Sequence, residues 1–423
     1  MAKYQTPTGM KDLLKEDLDN LEKLRKIAQK IADFYGFERI EPPILESTEI
    51  FEKGTGLTTD IVEKEMYSLR TKGGDHLTLR PEFTPGVVRA YIQHGMQALP
   101  KPVKVWYLGR CFRHERPQAG RYRQFYQLGF ESLGVADPVI DAIIIQMFYN
   151  ILKALGFKNL IVDINCIGCS QCRPYFKKSL LSFLRTRQSG LCAECRKRLK
   201  KNPLRVLDCK EEKCQSIVKS APQVLDHLCK ECHDHFKSLL EFLDELEFPY
   251  SLNPYLVRGL DYYTKTVFEI FEDTQEGRQQ GTLTGGGRYD GLVKLLGGKD
   301  TPACGGSLGV DRAMNLLKQR SHKPTEKRAE VFLVQVGGLA KRKTLKLFEQ
   351  FREAGVKIEE ALHKDSLSAQ LKTADKLKAK YSLILGHKEA LEDKIIIREM
   401  KTGRQKIVDL DKVISEIKKK IKK

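Results

Sequence analysis

No stretch of this 423-residue chain approaches the 18 or more consecutive apolar residues of a membrane-spanning helix. The opening MAKYQTPTGMKDLLKEDL also lacks the apolar run of a secretory signal. The expectation is a soluble, cytoplasmic protein with no membrane partner. Acidic residues are in deficit, 55 Asp and Glu against 74 Lys and Arg, for a net charge of +19. That imbalance points to a polyanionic partner and says nothing of fold. No internal repeat is evident, which excludes solenoids and propellers. Cysteine is almost missing outside one window: nine of eleven lie between 166 and 232. In a reducing compartment such clustering favours metal ligation over disulfides.

The length allows two or three domains, each with a buried core. Leu18, Leu21, Leu24, Ile27, Ile31 and Phe34 recur at helical spacing, and Gly36 supplies a stop. FERIEPPILE then alternates and meets two prolines, as an edge strand does. Between 163 and 249 the composition shifts to Cys, Lys and Arg, which reads as an inserted, mostly helical subdomain. Beyond a polar link at 321–328, strand-like and helix-like segments alternate to the end. That order predicts an α/β domain on a partly parallel sheet.

The most informative stretch is 110–131, RCFRHERPQAGRYRQFYQLGFE. It holds five arginines and His114, interleaved with Phe112, Tyr122, Phe125 and Tyr126. Guanidinium forks bind phosphate oxygens, and aromatic faces stack on bases. Two alternating arms, 103–112 and 122–130, flank a Pro-Gln-Ala-Gly turn and predict a long antiparallel hairpin. The alternative is a solvated basic strand pair. This stretch resembles motif 2 of the class II aminoacyl-tRNA synthetases, in the form of the histidyl-tRNA synthetase family. LVRGLDYYTKTVFEI (256–270) and GGGRYDGL (285–292) resemble two signatures of that family, in the same order. CGGSLGVDRAM (304–314) resembles motif 3. The helix-strand-proline unit near the start resembles motif 1, which forms the dimer interface in class II enzymes.

The resemblance covers nearly the whole chain, most weakly in the insertion and the last twenty residues. It implies an α+β fold: a class II catalytic domain on an antiparallel sheet over 1–325, with the cysteine-bearing insertion at about 166–249. An α/β anticodon-binding domain over 329–423 completes it. The implied activity is ATP-dependent ligation of histidine to tRNA(His) through a histidyl-adenylate, by a homodimer using ATP and Mg²⁺. Activation brings two anions together, so fixed positive charge must face the transition state. The resemblance assigns Arg113 and Arg258 to the α-phosphate, and Arg121 or Arg123 to the distal phosphates. Glu115 meets the adenine amino group, while Phe125 and Arg312 cover the two faces of the base. Glu82, Phe83, Thr84 and Gln127 match positions around the α-ammonium, and Glu131, Tyr262, Tyr263 and Tyr289 match those around the imidazole; Arg113 and Arg258 border the same histidine site. Arg116, Gln118 and Arg121 match positions that read the 5′ end of the tRNA. No side chain presents itself as general base for transfer, a task the resemblance leaves to an adenylate phosphate oxygen.

By spacing, Cys169-x₂-Cys172 and Cys192-x₂-Cys195 form one candidate zinc set. Cys209-x₄-Cys214 and Cys229-x₂-Cys232 then form a second, leaving Cys166 unused. Their bland reading is a group of ordinary thiols in a small helical subdomain. Two departures from the family pattern stand out: Thr8 replaces a frequent arginine, and Gly306 a frequent phenylalanine. The rival functions are a noncatalytic synthetase-like regulator and a zinc-dependent nucleic-acid-binding module. Both predict binding without turnover.

Overall fold

The computed structural model describes residues 4–118, 120–274, 281–320 and 329–421. The link expected at 321–328 and Ala119 of the hairpin turn lie outside them. Contacts divide the chain after residue 322 into two compact units.

The first unit is built on the expected hairpin. Strands β1 (Glu38–Arg39), β2 (Leu45–Ser47), β3 (Tyr67–Arg70) and β4 (His76–Leu79) precede it. Its arms are β5 (Val103–Phe112) and β6 (Gln124–Leu133), paired antiparallel from Val103 opposite Leu133 to Phe112 opposite Gln124. The second arm therefore starts at Gln124, two residues later than the alternation indicated. After it come β7 (Leu160–Cys166), β8 (Tyr250–Leu252), β9 (Thr264–Glu272), β10 (Thr284–Arg288) and β11 (Ala303–Gly309). Eight of these strands form one sheet in the order β1-β5-β6-β11-β10-β9-β7-β8, and β2-β4-β3 form a small second sheet. The large sheet is antiparallel except where the edge strands β1 and β8 join it. The proline-stopped FER segment is thus an edge strand.

Alternation along β5 sends Trp106 and Leu108 to one hydrophobic core and Val105, Tyr107 and Cys111 to another. The first core is roofed by helices Lys15–Tyr35, Val139–Leu155 and Val310–Arg320. Helix Lys15–Tyr35 ends at Gly36, whose φ of 71° makes the left-handed cap. Its packing face differs from the leucine pattern. Leu24, Ala28 and Ala32 are fully buried, whereas Leu18 and Phe34 are 49% and 84% exposed. Small side chains let this helix lie close to Val139–Leu155, so close packing, not side-chain size, decides the buried stripe.

The insertion leaves the sheet after β7 and returns at β8. It holds helices Arg173–Arg185, Ala193–Lys201 and Glu212–Val218 around its own core of Phe176, Leu180, Leu184, Leu191 and Val206, and helix Lys230–Glu245, which packs Phe236, Leu239 and Leu243 into the first core instead. Helix Lys230–Glu245 also meets a buried ion pair through His235. The fully buried Arg288 donates to Asp141 (Nε to Oδ2, 3.0 Å), and His235 Nε2 lies 3.7 Å from the same carboxylate. Burial alone would raise the Asp141 carboxyl, but Arg288 and His235 turn the net shift downward.

The second unit is a five-stranded sheet, β13-β12-β14-β15-β16, from β12 (Val331–Gln335), β13 (Ile358–Glu360), β14 (Tyr381–Leu385), β15 (Lys394–Glu399) and β16 (Gln405–Asp409). The first three strands pair in parallel and the last three antiparallel. The partly parallel α/β domain is therefore as expected. Strand β16 and helix His387–Leu391 are additions that the sequence pattern did not reveal.

Candidate active site

Strands β6, β9, β10 and β11 floor a cleft of about 830 Å³, with the insertion as one wall. Arg113, Glu115, Arg121, Phe125, Arg258 and Arg312 line it together with Glu82, Thr84, Gln127, Tyr262 and Tyr263. Residues scattered over 230 positions meet because the hairpin, the 253–263 loop and β11 are neighbours in one sheet.

The arginines are held by neutral or single contacts that leave charge to spare. Arg113 Nε donates to the Pro81 carbonyl at 2.9 Å, and its guanidinium sits over the Phe125 ring at 5.4 Å. Arg312 Nη1 donates to the Thr282 carbonyl at 2.8 Å. Burial, followed by repulsion from Arg121, Arg113 and Arg258, pulls the Arg312 guanidinium down to about 10. Such mutual repulsion marks a site preorganised for a polyanion. Arg258 pairs with Glu269, which also accepts from Thr282. Its buried Nε has no hydrogen-bond partner among the described residues. Glu269 was not singled out from the sequence, although it lies inside the 256–270 signature. Only the strand register, which puts it opposite Gly285, shows why it matters.

Two carboxylates sit beyond the arginines. Glu82 accepts from Thr55 at 2.8 Å and Tyr262 at 2.7 Å, and burial raises its carboxyl. Glu131, fully buried on β6, accepts from Thr84 (2.7 Å), Tyr107 (3.1 Å) and Tyr289 (2.5 Å). A carboxylate has about four lone-pair sites, so one remains for a further donor. Burial pushes Glu131 up to about 7 even though those three donors oppose the shift. Glu131 and Tyr289 do not line the cleft; they stand one layer behind Thr84 and Tyr107. Phe83 is also behind it, stacked on Tyr107 at 4.1 Å and 9°.

Arg123 is placed differently from its sequence assignment. Its side chain packs against Gly9, its Nε reaches the Glu115 carbonyl at 3.3 Å, and it does not line the cleft. Pairing with the N-terminal segment turns it away, leaving Arg121 as the hairpin arginine on the cleft. His114 is also structural: its N–H donates to the Glu65 carbonyl at 2.7 Å and its ring packs edge-on to Tyr67.

Glycines are required at two contacts. A Cβ on Gly285 would stand 2.2 Å from Arg258 Nη2, and one on Gly305 would stand 1.6 Å from Glu131 Oε2. Gly305→Ala should therefore displace Glu131, raising the KM for histidine by about 10-fold or more while the KM for ATP changes little. Steady-state pyrophosphate exchange checks this; equal effects on both substrates would count against a pocket-specific role.

The cysteines group otherwise than their order indicated. Cys169 and Cys172 meet Cys229 and Cys232, while Cys192 and Cys195 meet Cys209 and Cys214. The set of 169, 172, 192 and 195 is not formed. Helix Arg173–Arg185 carries the chain away from the first pair, and helix Lys230–Glu245 brings its partner pair back.

An antiparallel sheet bearing an arginine-lined cleft, with the buried Glu82 in its lining and Glu131 one layer behind, defines a class II aminoacyl-tRNA synthetase. Residues 9–313 match the family model for histidyl-tRNA synthetase, and 330–420 that of an anticodon binding domain. The chain is 43% identical to the histidine–tRNA ligase of Acetivibrio thermocellus, covering 98% of this chain and 99% of that protein. It is 43% identical to that of Dehalococcoides mccartyi, over 99% and 100%. The crystal structure of apo Staphylococcus aureus histidyl-tRNA synthetase superposes with a TM-score of 0.80 at 32% identity, covering 98% of this chain and 99% of that one. The chain belongs to the histidyl-tRNA synthetase family. Its activity is the ATP-dependent joining of histidine to tRNA through a histidyl-adenylate.

Proposed function

We propose the following division of labour within that activity. Histidine enters beside Glu82 and Glu131. The Glu82 carboxylate with Thr84 and Gln127 receives the α-ammonium, and Glu131 accepts an imidazole N–H at its remaining site, with Tyr262, Tyr263 and Tyr289 closing around the ring. A pocket of paired buried acceptors rejects apolar side chains because its own groups would go unpaired. ATP lies across Phe125 and Arg312, its adenine amino group near Glu115. Arg113 and Arg258 neutralise the α-phosphate as the histidine carboxylate attacks and pyrophosphate leaves, with Arg121 at the distal phosphates. Guanidinium groups dominate this donor set, which suits Mg²⁺ held chiefly by phosphate and water rather than by a protein cage. The ion would supply further charge neutralisation on the nucleotide.

The observation that carries this reading is the convergence of four arginines on a cleft whose lining includes the buried Glu82, with the buried Glu131 one layer behind Thr84 and Tyr107. Amino-acid-dependent ATP–pyrophosphate exchange, screened over all twenty amino acids without tRNA, should respond to histidine alone. Folded protein giving no exchange would overturn the reading in favour of a noncatalytic binder. The partner RNA is tRNA(His), and the working form a cytoplasmic homodimer. Phe34, Leu45, Leu57 and Leu69 leave apolar surface exposed on the first unit, as an interface requires. Light scattering at micromolar concentration should give twice the chain mass. The domain division follows the same reading, with catalysis in 1–325 and anticodon contact in 329–423. The remaining cofactor is zinc on the insertion thiolates.

A further inference from the structure

The insertion spans about eighty residues between β7 and β8, and its middle is mostly short helices and single turns. A segment of that size has little apolar area of its own and usually needs a cross-link or a metal to hold one structure. Eight cysteines gather in it as two separate quartets, and the four sulfurs of each lie within 4.8 Å of one another. In the first, Cys169 Sγ is 3.7 Å from Cys172 and 3.8 Å from Cys229, and Cys172 is 3.8 Å from Cys232. In the second, Cys192 and Cys209 are 3.9 Å apart. Sulfurs bound tetrahedrally to one ion at ~2.3 Å stand about 3.8 Å from each other. A disulfide needs about 2.05 Å, and all eight are free thiols.

Backbone donors point at the sulfurs as well. Cys169 N–H donates to Cys172 Sγ at 3.2 Å and Gln171 N–H to Cys169 Sγ at 3.4 Å. Cys195 N–H donates to Cys192 Sγ at 3.3 Å, and Cys192 N–H to Cys214 Sγ at 3.2 Å. These donors stabilise thiolate rather than thiol. They recur at both quartets, which a chance packing of thiols does not explain.

The second quartet also reaches the cleft, whose wall includes Cys192 and Cys209 themselves with Arg205, Asp208 and Lys210. From the same knot, Arg198 and Arg205 reach Asp60 at 3.2 and 2.5 Å, and Asn202 donates to Asp261 at 3.0 Å. Asp60 begins the π-helical turn Ile61–Glu65. The Glu65 carbonyl at the end of that turn accepts from His114 of the hairpin. Asp261 immediately precedes Tyr262. We propose that the insertion binds two zinc ions, one on Cys169, Cys172, Cys229 and Cys232 and one on Cys192, Cys195, Cys209 and Cys214. The second ion positions the wall of the cleft. This positioning role rests on the cleft being the activation site; the metal sites do not.

Protein purified without chelator should contain two zinc ions per chain. Each should be released by organomercurial titration of four thiols, and cobalt substitution should give tetrahedral tetrathiolate bands. Cys172→Ser/Cys232→Ser and Cys195→Ser/Cys214→Ser should each retain one ion, and Cys172→Ser/Cys195→Ser none. The pairing implied by sequence order would instead leave one ion in the last variant and none in the first. Loss of the second site should raise the KM for ATP or histidine in exchange by about 10-fold, and loss of the first should not. Substoichiometric metal in folded wild-type protein, or cobalt spectra without thiolate bands, would overturn the sites. Equal exchange kinetics in the two single-site variants would overturn the positioning role. Two zinc ions in a wild-type protein without exchange would refute the catalytic reading and leave the metal sites standing.

Discussion

Arg258→Ala is expected to slow histidine-dependent pyrophosphate exchange by about 10²-fold or more, a magnitude typical of lost transition-state charge donors. Histidine binding, measured by calorimetry, should change far less. The side chain arrives from the loop before β9, lies over the bare α-carbon of Gly285, and keeps its Nε without a hydrogen-bond partner among the described residues. A group held this way, with a donor to spare, is poised for charge that appears only during reaction. Its pairing with Glu269 raises a competing explanation. Removing the arginine leaves that carboxylate uncompensated, and the defect could be electrostatic collapse of the cleft. The Arg258→Ala/Glu269→Gln variant separates the two. If the arginine acts on phosphate, the double variant stays as slow as the single one; recovery to within a few-fold of wild type would make the ion pair the cause. Arg258→Lys should rescue little, since an ammonium cannot present a planar fork.

Glu131→Gln should lower kcat/KM for histidine by about 10³-fold, because a pocket built around one acceptor loses its charge-assisted hydrogen bond. The same change should stabilise the unliganded protein at neutral and alkaline pH. Burial raises the Glu131 carboxyl from 4.5 to about 7, so the folded state holds this proton more tightly than the unfolded chain does. Its contribution to stability is thus greatest below pH 4.5 and is lost as the pH rises towards 7, by an amount on the order of 3 kcal/mol. Denaturant titrations across pH 5–8 should show that decline in wild type and a shallower one in Glu131→Gln. Identical slopes would mean that another group, such as Glu82, carries the linkage. Histidine at saturation should restore stability to wild type alone. The carboxylate is costly until its ligand arrives, as a recognition group in a dry pocket should be.

Local pattern was enough for much of this protein. Alternation from 103 to 112 and from 122 to 130 specified the hairpin, though not the start of its second arm at Gln124, because a period of two has one reading when both arms flank a turn. Arginines interleaved with aromatics announced a nucleotide, since few other ligands need both. The composition shift at 163–249 located an insertion, and alternating strand and helix located the second unit. Spacing alone erred where partners come from far along the chain. It matched Cys169 and Cys172 with the next pair in sequence, whereas the fold, with three helices between, sets them against the last. The resemblance offered Arg121 or Arg123 for the distal phosphates, and the pairing of Arg123 with residue 9 leaves Arg121 as the one that lines the cleft. Spacing also counted Phe34 in the helical repeat of apolar residues, yet Phe34 is exposed and Ala28 and Ala32 are buried.

Sequence by itself thus determined the chemistry available to the protein: guanidinium for phosphate, carboxylate for ammonium and imidazole, thiolate for metal. Those properties belong to each residue and to neighbours a few positions away. Only the tertiary structure decided which of these groups meet. It set Glu269 against Arg258, Gly305 against Glu131 and one cysteine quartet against the cleft. Such contacts follow from strand register and helix packing, which bring together residues from 11 (Arg258 and Glu269) to 174 (Glu131 and Gly305) positions apart and are fixed by the whole core at once.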